Sequence, residues 1–383
     1  MNISKNIYFK NFSYKKPKKK IIKLFNELVI GKNPLIESFR NSYKNSYSKN
    51  LVIRLRKFKY INLIGIGGSS LGSRSIYNFF KGYIKKNFIF LDNLNNEKFK
   101  IKKDRLNLII SKSGNTLETI ANINFHIKKN QKNVFITENK KNYLSILAKK
   151  LESEVVHHNN FIGGRFSVLS EVGMLPAEIM GLNCLKFRQF NNLIKNKKFI
   201  NSLINNVSST LDLIKNNKTN SIILNYDQNS SDLFYWYQQL VAESLGKNNK
   251  GLFPVVSNMP KDNHSLMQLY LAGKKNNFFT FFFVKENSTK RIRNKEILNS
   301  HAHLRNKNVD DIKLAQFYAT QKVFKQRNIP FRSFFISKRN EETLGMLFTF
   351  FMLETILLGK AMNIDPYNQP AVELIKTETK KLF

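Results

Sequence analysis

The sequence predicts an α/β protein of two three-layer αβα domains, each built on a mostly parallel sheet. Three observations carry this expectation. Short β-branched or aromatic runs at 61–66, 88–91, 106–110 and 133–137 alternate with helical stretches, which is the pattern of βαβ units. A second series repeats the pattern at 221–226, 253–256, 278–284 and 332–336, with helices predicted over 231–245, 310–325 and 342–362. Finally, 383 residues that are 42% hydrophobic and 13% aromatic suffice for two domains with a sizeable core.

Residues 1–50 are basic and rich in Tyr, Asn and Ser, and are expected to form a peripheral segment with one helix over 19–28. Residues 51–190 make the first α/β domain, 191–218 a polar Lys/Asn-rich connection, and 219–362 the second domain. Residues 363–383 form a C-terminal segment and a helix that starts at Pro370, since proline suits the first helical turn. No tandem repeat is visible, so any likeness between the halves is expected in architecture alone. The apolar stretch 346–358 contains Thr349, Glu354 and Thr355; it is too short and too polar to span a bilayer and reads as a buried helix. The N-terminus leads into lysines rather than an apolar signal core, and the lone Cys184 rules out a disulfide framework. A cytoplasmic protein with no membrane association is expected.

Lys and Arg number 64 against 26 Asp and Glu, a net charge of +38. The excess is spread along the chain as Lys-Asn runs, and only Lys15-Lys16-Pro17-Lys18-Lys19-Lys20 forms a dense block. Specific nucleic-acid binders cluster their charge or interleave it with exposed aromatics, so the balance reads as compositional. Such a field still draws in anionic substrates.

Two strands end in loops suited to anions. Gly65-Ile66-Gly67-Gly68-Ser69-Ser70-Leu71-Gly72 lets backbone approach a ligand at a helix start. Its spacing is not that of a dinucleotide fingerprint, although Asp92 stands where a ribose partner would be. Ser111-Lys112-Ser113-Gly114-Asn115-Thr116-Leu117-Glu118-Thr119 gathers hydroxyls and a lysine before a second helix, without the spacing of a nucleoside-triphosphate loop. A well-capped helix start would use some of the same residues, but two such loops in one domain point to phosphate.

Other residues could do chemistry. In Gly163-Gly164-Arg165-Phe166-Ser167 a glycine pair precedes a guanidinium that could face an oxyanion. Glu243 lies near the end of an amphipathic helix, before Gly246-Lys247, in a position open to a general base. His264 sits at a loop-to-helix junction and could shuttle protons. His126 reads as structural, and His157-His158 and His301-x-His303 read as surface residues without metal-ligand spacing. Gln369 immediately precedes the C-terminal helix, and Lys376 follows two turns on.

The order and wording of these segments resemble the phosphoglucose isomerase family, whose members carry two sugar-isomerase domains. The likeness runs from about residue 62 to 376, and Gly163-Gly164-Arg165-Phe166-Ser167 and Asn368-Gln369-x-x-Val372-Glu373-x-x-Lys376 are its most specific stretches. The resemblance implies interconversion of glucose 6-phosphate and fructose 6-phosphate through a cis-enediolate, with no metal and no redox cofactor. It implies that Gly68, Ser69, Ser111, Lys112, Ser113 and Thr116 cradle substrate and phosphate. It further implies that Glu243 is the base, Arg165 stabilises the enediolate, and Gln369 and Lys376 close the site. His264 would help open the sugar ring from the neighbouring subunit of a homodimer. Ala371 departs from the family's pattern, which has glycine there. A catalytically silent sugar-phosphate sensor is the alternative, but a sensor has no reason to keep Glu243, His264, Arg165 and Lys376 together.

Overall fold

The computed structural model describes residues 2–12, 17–94, 104–286 and 290–383; Lys15 and Lys16 of the basic block lie outside them. Among the described residues, two five-stranded sheets organise the chain. The first contains β2 (Tyr60–Ile64), β3 (Asn87–Leu91), β4 (Arg105–Ile110), β5 (Lys132–Glu138) and β6 (Glu154–His158), all parallel, in the order β3-β2-β4-β5-β6. The second contains β1 (Ile7–Lys10), β7 (Asn220–Asn225), β8 (Phe253–Asn258), β9 (Asn277–Val284) and β10 (Phe331–Ile336), in the order β8-β7-β9-β10-β1. Only β1 runs antiparallel. The first four strands of each sheet follow the same order, and the fifth differs: β6 continues the parallel series, whereas β1 is supplied antiparallel by the N-terminus.

Both faces of each sheet are covered, which explains why the strands read as continuous apolar runs rather than as alternation. On the outer side of the first sheet Ile64, Ile109 and Phe135 pack with Ile123, Leu144 and Ala148, from helices Leu117–His126 and Tyr143–Lys150. On the outer side of the second, Phe279, Phe281 and Phe283 pack against Phe317 and Phe324 of helix Val309–Gln326. Between the sheets lies a shared core that joins Ile61, Leu63 and Leu106 to Phe278, Phe282 and Phe334.

Helix Glu341–Ala361 runs through that core and packs among helices Lys19–Ile30, Lys197–Lys215 and Ser231–Leu245. It is long and apolar enough to cross a membrane by length and composition, yet 89% of its apolar window is buried inside the protein. A helix that is hydrophobic all round belongs in a core, and this one is buried without a break from Thr343 to Gly359. Its one buried acid, Glu354, pairs with the fully buried Arg332, whose Nε also donates to Thr280 Oγ1 at 2.9 Å and whose Nη1 donates to Asn206 Oδ1 at 2.8 Å.

The N-terminal segment is not peripheral as the sequence reading had it. β1 adds an edge to the second sheet with Ile7 and Phe9 pointing inward, and helix Lys19–Ile30 buries Ile21, Phe25 and Leu28. That spacing is the apolar stripe of a core-facing helix, set within a lysine-rich composition that disguises it. The connection at 191–218 likewise contains a long helix, Lys197–Lys215, with Phe199, Leu203 and Val207 buried. β1 and β6 are strands the sequence reading did not predict; the other eight fall where it expected them, within one or two residues at each end.

Candidate active site

In both sheets successive connections leave opposite sides of one strand: β2 lies between β3 and β4, and β7 lies between β8 and β9. Ligands of open α/β sheets bind at such switch points, beyond the carboxyl ends of the strands. In the first sheet the loops at that place are the two singled out in the sequence. Gly67–Ser69 forms a short turn after β2, and Ser111 to Thr116 follows β4. Ser111 Oγ and Thr116 Oγ1 lie 2.9 Å apart, and burial holds the Lys112 ammonium below its ordinary value, with Glu138 opposing the shift. Gly114 has a φ of +66°, and a Cβ there would stand 2.0 Å from Asn142 Oδ1, so the turn requires glycine.

In the second sheet the equivalent crevice is filled. Arg339 reaches Asp227 Oδ1 at 2.5 Å and Glu286 Oε1 at 2.6 Å. Asp92, the possible ribose partner, is bound by Arg74 at 2.9 and 3.2 Å, which removes it from that role.

The turn Gly164–Leu169 lies against the first crevice. An ideal Cβ on Gly68 would stand 2.2 Å from the carbonyl carbon of Gly164, so the two backbones meet there because residue 68 is glycine. Arg165, which follows, is 2% exposed. Its Nε donates to Ser244 Oγ at 2.8 Å, and Nη1 donates to Glu243 Oε2 at 3.1 Å and to Gln369 Oε1. Nη2 donates to the carbonyl oxygens of Pro366 at 2.8 Å and Asn368 at 2.9 Å. The guanidinium has five N–H groups, and every one has an acceptor. Burial lowers the affinity of Arg165 for its proton and the Glu243 carboxylate opposes that, so the charge is retained.

Helix Ser231–Leu245 brings the acid. Trp236, Gln239 and Glu243 share one face: the Trp236 indole donates to the Arg165 carbonyl at 3.2 Å, and Gln239 Nε2 donates to Glu243 Oε1 at 2.9 Å. Glu243 is thus held by one oxygen from Gln239 and by the other from Arg165, with its side chain 27% exposed. Lys247, just past the helix, donates to the Asp365 carbonyl at 2.5 Å; burial first, and then the Arg165 charge, hold its ammonium below the ordinary value. A cleft of about 400 Å³, lined in part by Lys112, Gly163, Phe166 and Tyr367, opens beside this cluster. A larger cleft, about 600 Å³, lies between Lys10, Phe12 and Phe331 and contains none of these residues.

A family model described as phosphoglucose isomerase matches residues 54–383. The chain belongs to the phosphoglucose isomerase family. The glucose-6-phosphate isomerase of Methanocaldococcus jannaschii is 32% identical over 380 residues, covering 90% of this chain and 92% of that protein. That of Mycoplasmopsis pulmonis is 32% identical over 84% of this chain and 82% of its own length. Among solved structures, a hypothetical protein from Thermus thermophilus superposes with a TM-score of 0.82 at 23% identity, over 95% of this chain and 93% of that one. A Chlamydia trachomatis glucose-6-phosphate isomerase gives 0.72 at 18% identity, over 95% and 83%. At these identities the structural likeness is one of fold.

The structure brings together Gly68, Arg165, Glu243 and Gln369, with the loop of Ser111, Lys112, Ser113 and Thr116 on the neighbouring strand end. Two residues that the family resemblance singled out stay outside. Lys376 is on helix Pro370–Lys381, which has no buried residue, and its ammonium pairs with Glu373 at 2.6 Å. His264 is exposed and lies at the far end of the helix from Glu243. Ser231 Oγ donates to Asn258 Oδ1 at 2.8 Å, which pins the helix start beside the carboxyl end of β8, and the turn leading to His264 is held there by Asp262 on Asn258 N at 2.7 Å. Glu243 comes twelve residues after Ser231, about 18 Å along the axis. His158, read as a surface residue, is instead 2% exposed, because β6 turns it inward. Gln239 and Ser244 were not picked out in the sequence; each sits at helical spacing from, or next to, Glu243.

Gly68→Ala is expected to leave a folded protein whose turnover of its substrate falls by about a hundredfold, since the added methyl must push the Arg165 turn by more than an ångström. Steady-state rates of the purified variant check this, and an unchanged rate would separate the Gly68 contact from the site's geometry.

Proposed function

We propose that this chain interconverts glucose 6-phosphate and fructose 6-phosphate, as an aldose–ketose isomerase. The single observation that carries this reading is the buried Arg165 fork held against Glu243 at the open switch point, in a chain of the phosphoglucose isomerase family. Moving a proton between neighbouring carbons beside a carbonyl needs one base and a cation for the oxyanion that develops. Glu243 takes the proton from C2 of the open-chain aldose, electrons move onto the C1 oxygen, and a cis-enediolate forms. The same carboxyl returns the proton to C1 while the hydroxyl proton on O2 passes to O1, and the C2 carbonyl of the ketose forms. Arg165 is the cation that the enediolate charge meets. All five of its N–H groups already have acceptors, so it acts through its fixed positive charge, which is in place before the enediolate charge develops.

Ser111, Lys112, Ser113 and Thr116 supply hydroxyls and a cation for the 6-phosphate, and Gly68 and Ser69 let backbone approach the sugar. The phosphate then provides binding energy remote from the reacting carbons. Gln369, already on Arg165, and Lys376, two turns further along the exposed C-terminal helix, close the site. His264, at the far end of its own chain's helix, serves the Glu243 site of a second subunit in a homodimer and assists ring opening there. A silent sensor is not favoured, because the relatives that match over most of the chain are named isomerases.

Conversion of fructose 6-phosphate to glucose 6-phosphate, followed through a coupled dehydrogenase with EDTA present, is expected to proceed. Glu243→Gln should bind substrate but turn over slower by about 10²–10⁴-fold, because an amide cannot accept the proton. Undiminished turnover by that variant would remove Glu243 from the role of base, and an inactive, folded wild type would remove the reaction itself.

The shared site has its own test. Chains carrying Glu243→Gln and chains carrying His264→Ala, each inactive alone, should recover activity when unfolded and refolded together. Each mixed dimer then contains one site with both residues intact. Absence of recovery in demonstrably mixed dimers would place both residues in the same chain's site.

A further inference from the structure

The turn that carries Arg165 is tied at both ends by charged groups that the proposed reaction does not use. Upstream, His158 ends β6, and its Nε2 lies 3.0 Å from the Ile162 carbonyl oxygen. A carbonyl only accepts, so Nε2 carries a proton and donates. Downstream, Glu171 opens helix Glu171–Ile179 directly after the turn. His158 Nδ1 and Glu171 Oε2 face each other at 3.5 Å, longer than a formed hydrogen bond and neither with another partner among the described residues, with both side chains almost wholly buried. Residues 158 and 171 therefore bridge the two ends of the segment 159–170, which contains Gly163, Gly164 and Arg165.

Groups from other elements face the same pair. The Tyr43 hydroxyl, from the N-terminal segment, donates to Glu171 Oε1 at 2.8 Å; burial, and then the Glu171 charge, hold that phenol above its ordinary value. Arg188 donates to the Tyr43 carbonyl at 3.0 Å and to Leu169 O, the last residue of the turn, at 2.9 and 3.2 Å. Its guanidinium also sits 4.9 Å from the Tyr43 ring centroid. Burial works against ionisation of Glu171, yet the facing His158 ring, a backbone N–H and the Tyr43 hydroxyl hold its carboxyl below the ordinary value.

With Nε2 already donating, Nδ1 of a neutral imidazole would present a bare lone pair to a carboxylate oxygen. That arrangement is repulsive unless the pair holds one further proton between them. A buried ion pair is also a poor source of stability, since apolar residues of the same volume do as well or better. What the pair does supply is restraint: it joins the ends of a segment whose two glycines give it little stiffness of its own.

We propose that His158 and Glu171 are positioning residues for the isomerisation: their buried, proton-sharing contact clamps the segment 159–170 so that the Arg165 guanidinium stays on Glu243. The kinetic part of this proposal rests on the isomerase reading; the structural part does not.

The test compares the wild type with His158→Phe/Glu171→Ala/Tyr43→Phe, which removes the three polar groups together and leaves neither member of the pair behind as a lone buried charge. The triple variant should fold, with kcat for fructose 6-phosphate down by about tenfold or more and KM within about threefold, because a small misplacement of a catalytic group is costly. Amide exchange over residues 163–169 should quicken. His158→Gln/Glu171→Gln keeps a donor for the Ile162 carbonyl and an acceptor for Tyr43, and should restore most of kcat. A folded triple variant with wild-type kcat and wild-type exchange over 163–169 overturns the proposal, since a purely structural pair would move stability alone. Where the wild type shows no turnover, the isomerase reading fails by itself, and unchanged exchange still overturns the clamp. Should the triple variant not fold, the wild type decides: with 15N-labelled histidine, a deshielded proton shared between His158 Nδ1 and Glu171 supports the clamp, and a bare Nδ1 overturns it.

Discussion

The whole site hangs on one buried guanidinium. Arg165 is an always-charged group taken out of water, which is tolerable only because each of its N–H groups finds an acceptor. Those acceptors come from two places far apart in sequence: the end of helix Ser231–Leu245 and the segment before the C-terminal helix. The arginine itself rides on a turn after the first sheet. Satisfying one side chain therefore fixes the relative placement of three segments, and it leaves a cation beside a partly exposed carboxylate. A lysine could keep the charge but not the fork, so the geometry is specific to arginine.

The repeated topology makes the contrast between the halves informative. Each sheet has a switch point, and each could in principle hold a ligand. In the second, Arg339 occupies the crevice bridged to Asp227 and Glu286, and Arg74 bridges Asp92 and Asp232 nearby, each cluster an acid in excess and closed to an anion. In the first, glycines and hydroxyls leave it open. The second domain contributes instead through the other end of its sheet, where helix Ser231–Leu245 delivers Glu243 and Gln239. One half thus provides the glycine and hydroxyl loops and the arginine, and the other provides Glu243. The site exists only because the two halves share a core.

Much of this was legible in the sequence because the signals were local. Parallel strands buried on both faces leave continuous apolar runs, and helix Ser231–Leu245 was located to the residue by its amphipathic pattern and its Gly246 stop. The glycine-rich and Ser-Lys-Ser turns announce themselves by composition. What was missed depends on distant partners. β1 is four residues long and becomes a strand only by pairing with β10, at the other end of the chain. His158 looked like a surface histidine because its partners, Glu171 and Tyr43, are brought to it by the fold. Two of the Arg165 acceptors are backbone carbonyls, at Pro366 and Asn368, to which side-chain identity is blind. His264 was legible as a possible proton shuttle from its loop-to-helix junction, and Lys376 only through family resemblance; within a single chain the fold leaves both on the surface.

The central claim is that the Arg165 fork, and not its charge alone, assembles the site and meets the enediolate. Arg165→Lys tests this most directly, with kcat and KM for fructose 6-phosphate measured on protein shown to be folded. The account expects kcat to fall by about 10²–10³-fold with KM changed far less, since lysine keeps a positive charge but cannot span Glu243, Ser244 and the C-terminal carbonyls together. A lysine variant within a few fold of the wild-type kcat would contradict it, and would reduce Arg165 to a structural tie.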